Sequence, residues 1–187
     1  VRVLSYVRIR QMGISLPFPF VEACMRGLYL TFARRARASP SSPQGRRSFR
    51  IMEGCVVELY RLDTASAYQN AFLYIRQLSL MLRKAMTQQT SDSFAAVRRW
   101  QVVTCLRLWT GVLAAAPGED ELRMMIFPLT QVIGGIIKAS PTLIHSPLIL
   151  QLVRMQQRLA AASCVYIPCT SPLLTVLRSP PLFKKVT

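Results

Sequence analysis

From residue 64 onward, hydrophobic positions in this 187-residue chain recur at steps of three and four, and strict alternation is scarcely visible. The expected class is all-α. Asp63 reads as the N-cap of a helix over residues 64–86, with Tyr68, Phe72, Ile75, Leu78, Leu82 and Met86 on one face. Arg76, Arg83 and Lys84 fall largely off that stripe. After a polar stretch, a second helix is expected over 93–116, with Val102, Cys105, Leu106, Trp109, Val112 and Leu113 on one side until Pro117-Gly118 stops it. The acidic run Glu119-Asp120-Glu121 suits the N-terminus of a third helix, because carboxylates there oppose the helix dipole. Its stripe runs from Leu122 through Ile126 and Ile133 to Ile137 and continues past Pro128, which is expected to kink the helix or split it. Gly134-Gly135 either loosens this stretch or admits a close neighbour.

Ser146-Pro147 and Ser171-Pro172 each combine an N-cap residue with a proline in the first turn. The first opens a helix to about residue 162 with Leu148, Leu152, Met155 and Leu159 aligned; the second precedes Leu173, Leu174 and Leu177. Helix starts near 64, 93, 121, 146 and 172 recur every 25–29 residues, which predicts an irregular HEAT/armadillo-like helical-repeat stack over 51–177. Residues 1–50 differ: 20–37 reads as one helix, and Ser39-Pro40-Ser41-Ser42-Pro43-Gln44-Gly45 as a flexible break within a basic segment. Residues 178–187 read as a tail.

Composition adds a charge problem to this helical pattern. The chain has 24 Lys+Arg against 8 Asp+Glu, a net charge of +16, yet 51% of its residues are hydrophobic, enough to build a core. Twenty of the cations are Arg, whose planar fork matches phosphate bidentately, so the excess points to nucleic acid or an acidic partner. Residues 1–50 alone carry ten cations and one anion, and six of the arginines lie between 34 and 50. Arg34-Arg35-Ala36-Arg37 and Arg46-Arg47 fit RNA phosphate contact, a nuclear import signal or a merely solvated loop, and the three readings stay open. Ser39-Pro40 and Ser42-Pro43 fit proline-directed phosphorylation, which would offset the neighbouring Arg charge.

The search for catalytic chemistry returns little. There is one His, at 145, and no GxGxxG, P-loop, GxSxG or opposed carboxylate pair, so no enzyme and no cofactor are expected. Cys24, Cys55, Cys105, Cys164 and Cys169 form an odd set without a CxxC pair, and are read as reduced thiols of an intracellular protein with no metal site. Mean hydropathy is positive at +0.29, but Pro17, Pro19, Glu22 and Arg26 interrupt the stretch 16–33, and 124–137 has only 14 residues. A membrane span needs about 20 apolar residues, so neither membrane nor small-molecule partner is expected. Tyr68, Tyr74, Trp100 and Trp109 fit a base-stacking platform or a core, and their aliphatic neighbours favour the core. The chain opens Val1-Arg2-Val3 without Met, which suggests a fragment or an incomplete gene model.

Long motifs then bring a resemblance into view. The segment from Tyr68-Gln69-Asn70-Ala71-Phe72 through Leu73-Tyr74-Ile75-Arg76-Gln77-Leu78, followed by Trp100-Gln101 and Cys105-Leu106-Arg107-Leu108-Trp109, closely resembles the nucleolar complex protein 2 family. The similarity begins near Cys55-Val56-Val57-Glu58-Leu59-Tyr60, includes Pro128-Leu129-Thr130-Gln131 and fades after Tyr166-Ile167-Pro168, covering residues 54–168. Asn70 stands where the family usually has His, Arg99 replaces an Asn, and 34–50 and 178–187 do not look like the family. Members are several times longer, so the resemblance makes this chain the middle of one.

The resemblance implies a non-enzymatic, nucleolar and nucleoplasmic scaffold for large ribosomal subunit assembly. It would work through other nucleolar complex proteins, pre-ribosomal particles and ribosomal RNA, in RNA processing and pre-ribosome transport. The two motif segments would be packed helices shaping the scaffold, with Arg76, Arg83, Arg99 and Arg107 as contacts for RNA or partners. The alternative on the same scaffold is a chromatin-associated transcriptional co-regulator, since animal relatives are associated with repression. A small membrane-associated helical protein ranks last.

Overall fold

The computed structural model describes residues 2–16, 19–38, 43–140 and 142–178, and among these every regular element is a helix. In chain order they are α1 (Arg2–Ser15), α2 (Phe20–Arg35), α3 (Pro43–Leu59), α4 (Thr64–Gln88) and α5 (Ser91–Val97). Then follow α6 (Trp100–Ala115), α7 (Asp120–Arg123), α8 (Ile126–Lys138), α9 (Thr142–Ser163) and α10 (Thr170–Leu177).

Local chemistry explains most boundaries. The Asp63 carboxylate accepts the Ala65 N–H at 3.2 Å and so caps α4, as the sequence predicts. At the other end Gln89 takes a left-handed φ of 50° and its N–H reaches the Ala85 carbonyl, closing the last turn. Thr90 then caps α5 through the Ser93 N–H at 3.3 Å. The single helix expected over 93–116 is two: Arg99, with φ −56° and ψ 142°, breaks the helical path between α5 and α6. Pro128 resolves as a split. It occupies the first turn of α8, where its missing N–H has no intrahelical acceptor to lose. α9 opens with a short turn from Thr142, but His145 breaks the helical path at φ −111° and ψ 18°, so its main helix begins at Ser146-Pro147 as the sequence predicts.

Two expectations change. The sequence predicts a flexible break from Ser39 to Gly45 within the basic segment, yet α3 begins at Pro43, inside that break, and runs through position 50. Phe49, Val56 and Leu59 anchor it in the core, and the Phe49 ring lies 4.8 Å from that of Phe32 on α2. Residues 39–42, with the two Ser-Pro sites' serines, and 179–187 of the expected tail lie outside the described residues. On α4 the buried line is turned one step from the expected stripe: Ala67, Asn70, Ala71, Tyr74, Ile75 and Ala85 are buried, whereas Phe72 and Met86 are 48% and 47% exposed. Small residues carry little weight in a hydrophobic pattern, but they let neighbouring helices approach closely.

The packing has two layers. α2, α4 and α8 are successive neighbours in one, α3, α6 and α9 in the other, with α2 on α3, α4 on α6 and α8 on α9 across them. This order is compatible with stacked helix pairs. α6 is central, and every residue from Val102 to Leu113 except Arg107 is buried. Trp109 is fully buried, with Tyr29, Tyr60 and Tyr74 rings at 5.3, 5.3 and 6.0 Å. Gly135 serves close approach, since a Cβ there would meet the Leu82 Cδ2 of α4 at 2.5 Å.

Candidate nucleic-acid interface

The motif residues divide into core and surface. Tyr74, Ile75, Cys105, Leu106, Leu108 and Trp109 are buried, and Tyr68, Leu78 and Trp100 are half-buried. Gln69, Phe72 and Gln77 face outward from α4. Gln101 ties α6 to α2 by donating to the Ala33 carbonyl at 2.9 Å. Asn70, the departure within the first motif, is buried and donates to the Ser66 carbonyl at 2.9 Å, so its amide is satisfied by its own helix. Trp109 and Tyr74 are therefore core residues and offer no face for stacking bases.

The expected cationic contacts are mostly on the surface. Arg34 and Arg35 occupy the last turn of α2 and Arg37 follows it; Arg46 and Arg47 lie near the start of α3, and all five are exposed. Cations at the end of α2 suit its dipole, but cations at the start of α3 oppose it, so helix electrostatics alone does not account for Arg46 and Arg47. Arg76 and Arg83 are exposed on α4, and Arg99 is exposed at the α5–α6 break. Arg107 differs. It is half-buried and pairs bidentately with Glu53 of α3, Nη2–Oε2 at 2.9 Å and Nε–Oε1 at 3.0 Å, while its guanidinium stands 6.0 Å from the Trp100 ring. It is a cross-link between α3 and α6, not a free contact.

That cross-link closes one part of a larger concavity that sequence reading missed. A groove of about 1100 Å³ lies between α3, α6 and α9. Arg50, Glu53, Val57 and Glu58 of α3, with Arg61 just after it, form one wall; Gln151, Arg154, Met155 and Arg158 of α9 form the other. Arg107, Thr110 and Gly111 of α6 form the floor. Both carboxylates are engaged, Glu53 by Arg107 and Glu58 by Arg10 at 3.1 Å. Arg50, Arg61, Arg154 and Arg158 are exposed, and among the described residues their guanidinium groups have no ion pair. Spacings 50/54/57/61 and 151/154/158 carry the helical signal, but it has meaning only once α3 is known to be a helix and to flank α6.

Catalytic parts do not converge. Glu119, Asp120 and Glu121 sit at the start of α7, and His145, on the bend of α9, neighbours Arg98, Trp100 and Gln151 but no carboxylate. Among the described residues no three His, Cys, Asp or Glu side chains are grouped to hold a metal, and no helix is long and apolar enough to cross a membrane. Burial raises the Cys105 thiol to about 11, and pushes the Tyr29 and Tyr60 hydroxyls up still further. These shifts come from the core and point to no reactive group.

The described residues thus form an all-α body with an Arg-rich surface and a basic groove. The particular family follows from comparison: the model of the Noc2p family matches residues 19–187, and the chain belongs to that family. The match extends beyond 54–168 in both directions and takes in 34–50 and 178–187, which correct the expectation that these ends are foreign to the family. The chain is 36% identical over 175 residues to the nucleolar complex-associated protein 2 of Arabidopsis thaliana, covering 94% of this chain and 23% of that protein. It is 32% identical over 180 residues to the nucleolar complex protein 2 of Drosophila melanogaster, covering 96% and 23%. An uncharacterised NOC2 family protein of Schizosaccharomyces pombe is 28% identical over 186 residues, covering 96% and 26%. The chain thus spans about a quarter of the length of these relatives.

Proposed function

We propose that this chain is a helical scaffold segment of a nucleolar assembly factor for the large ribosomal subunit. It acts without catalysis, in pre-ribosomal RNA processing and pre-ribosome transport, and resides in the nucleolus and nucleoplasm. Its partners are other nucleolar complex proteins, pre-ribosomal particles and ribosomal RNA. The observation that carries this reading is membership of the Noc2p family by a chain whose relatives are named for the nucleolar complex. The exposed arginines at 34, 35, 37, 46, 47, 76, 83 and 99 support the RNA part, because a surface of unburied guanidinium forks suits phosphate. The test is purification of the tagged chain from nuclear extract, with sequencing of bound RNA and identification of bound proteins. Enrichment of large-subunit precursor RNA and nucleolar complex proteins is expected. Recovery of chromatin proteins without ribosomal RNA would favour the co-regulator reading instead.

A further inference from the structure

We propose that the groove between α3, α6 and α9 seats the sugar–phosphate backbone of single-stranded RNA, without regard to base. Four of its arginines, Arg50, Arg61, Arg154 and Arg158, have no ion pair among the described residues, and they come from both walls. The two glutamates that would neutralise them are engaged by Arg107 and Arg10. A concavity with low-dielectric walls concentrates this potential, so an extended polyanion gains more there than on an open surface.

The floor is shaped for close approach. Gly111 lets α3 approach α6 closely, since a Cβ there would stand only 3.2 Å from Val57 Cγ2, and the Arg158 guanidinium lies beside the same position. Thr110 lines the same floor, and its buried hydroxyl has no hydrogen-bond partner.

Chemistry also selects the occupant. A docked protein helix is held by large apolar anchors in pockets, whereas this groove offers mainly guanidinium and amide groups around Val57 and Met155. Among the described residues no aromatic ring lines it, so bases have nothing to stack on there and the phosphate backbone is what the groove recognises. Both walls are helices that pack on α6, so the arginines of the two walls face one shared concavity.

This deepens the ribosomal reading but is tested apart from it, with the purified chain and bare oligonucleotides. Fluorescent oligo-uridine and oligo-adenosine are titrated by anisotropy over a range of salt, comparing the chain with an Arg61→Gln/Arg154→Gln/Arg158→Gln variant and an Arg26→Gln/Arg123→Gln control. Each lost phosphate contact lowers the log–log salt slope by about 0.7, so the groove variant loses about 2 from the slope and about 100-fold in affinity at 0.1 M salt. The two oligonucleotides bind alike, and the control, whose arginines are exposed on α2 and α7 and do not line the groove, changes little. Circular dichroism confirms that each variant is folded, and Arg→Lys at the three groove positions retains most of the slope. A groove variant with unchanged slope, or oligo-glutamate binding more tightly than either RNA, overturns the proposal. Neither result touches the association with pre-ribosomal particles, which the tagged purification reads by itself.

Discussion

Replacing Trp109 by alanine removes the largest fully buried side chain of the core, at the point where Tyr29 of α2, Tyr74 of α4 and Tyr60 just after α3 meet. Truncating a buried Trp costs roughly 3–5 kcal/mol, and edge or stacked ring pairs add about 0.5–1.5 kcal/mol each beyond area. The Tyr29, Tyr60 and Tyr74 rings all lose their partner here, and α6 is enclosed by both layers and cannot collapse far, so the upper end, about 4–5 kcal/mol, is expected. A domain has about 5–15 kcal/mol in all, so the variant retains little stability. Urea unfolding followed by far-ultraviolet circular dichroism reads the change without relying on the lost fluorophore. With a slope of about 2 kcal/mol per molar, the midpoint falls by about 2 M. Trp109→Phe keeps a ring between the tyrosines and leaves a smaller cavity, so it costs only about 1–2 kcal/mol. A loss below about 0.5 kcal/mol for Trp109→Ala would place the indole at the surface and refute this core.

Arg107→Gln leaves the Glu53 carboxylate, 14% exposed, without its bidentate partner, and should cost about 1–3 kcal/mol; a double-mutant cycle with Glu53→Gln that shows no coupling would contradict the cross-link. Asp63→Ala should lower stability by about 0.5–2 kcal/mol by opening the α4 N-terminus, and Asp63→Asn should restore most of it in the same urea assay. Burial lifts the Cys105 thiol from 9.0 to about 11, so the folded state favours the protonated form. That contribution is full below pH 9.0 and is lost as pH rises to about 11; the urea midpoint should fall across this window, and a midpoint that rises would show the sign to be wrong. Exposed Cys164 should react with a thiol reagent in the native chain, whereas Cys105 reacts only after unfolding.

How far the sequence could be read depended on whether a signal was local. Asp63 as a cap, Pro128 as a break and the burial of Trp109 all follow from neighbours within one or two turns, and each stands in the structure. α3 was hidden because Arg46, Arg47 and Arg50 alternate with Ser and Gly, although Phe49, Met52, Val56 and Leu59 hold helical spacing. The break at Arg98-Arg99 has neither Pro nor Gly to announce it, and Val97 before it and the α6 core residues after it are buried. The buried line of α4 was misplaced by one step because Ala67, Ala71 and Ala85 bury through close contact instead of bulk. The groove was out of reach for a different reason. Its arginines sit on α9 and on or just after α3, nearly a hundred residues away, and nothing local says that Glu53 spends its charge on Arg107 while Arg50, Arg154 and Arg158 keep theirs.

The central claim is that this chain is a scaffold segment working on large-subunit precursors. Sedimentation of a tagged chain through a sucrose gradient of nuclear extract, with each fraction probed for precursor ribosomal RNA, tests it most directly. The account predicts that the chain travels with large-subunit precursors and leaves them as salt rises. A chain that stays at the top of the gradient, or follows small-subunit precursors, would contradict it.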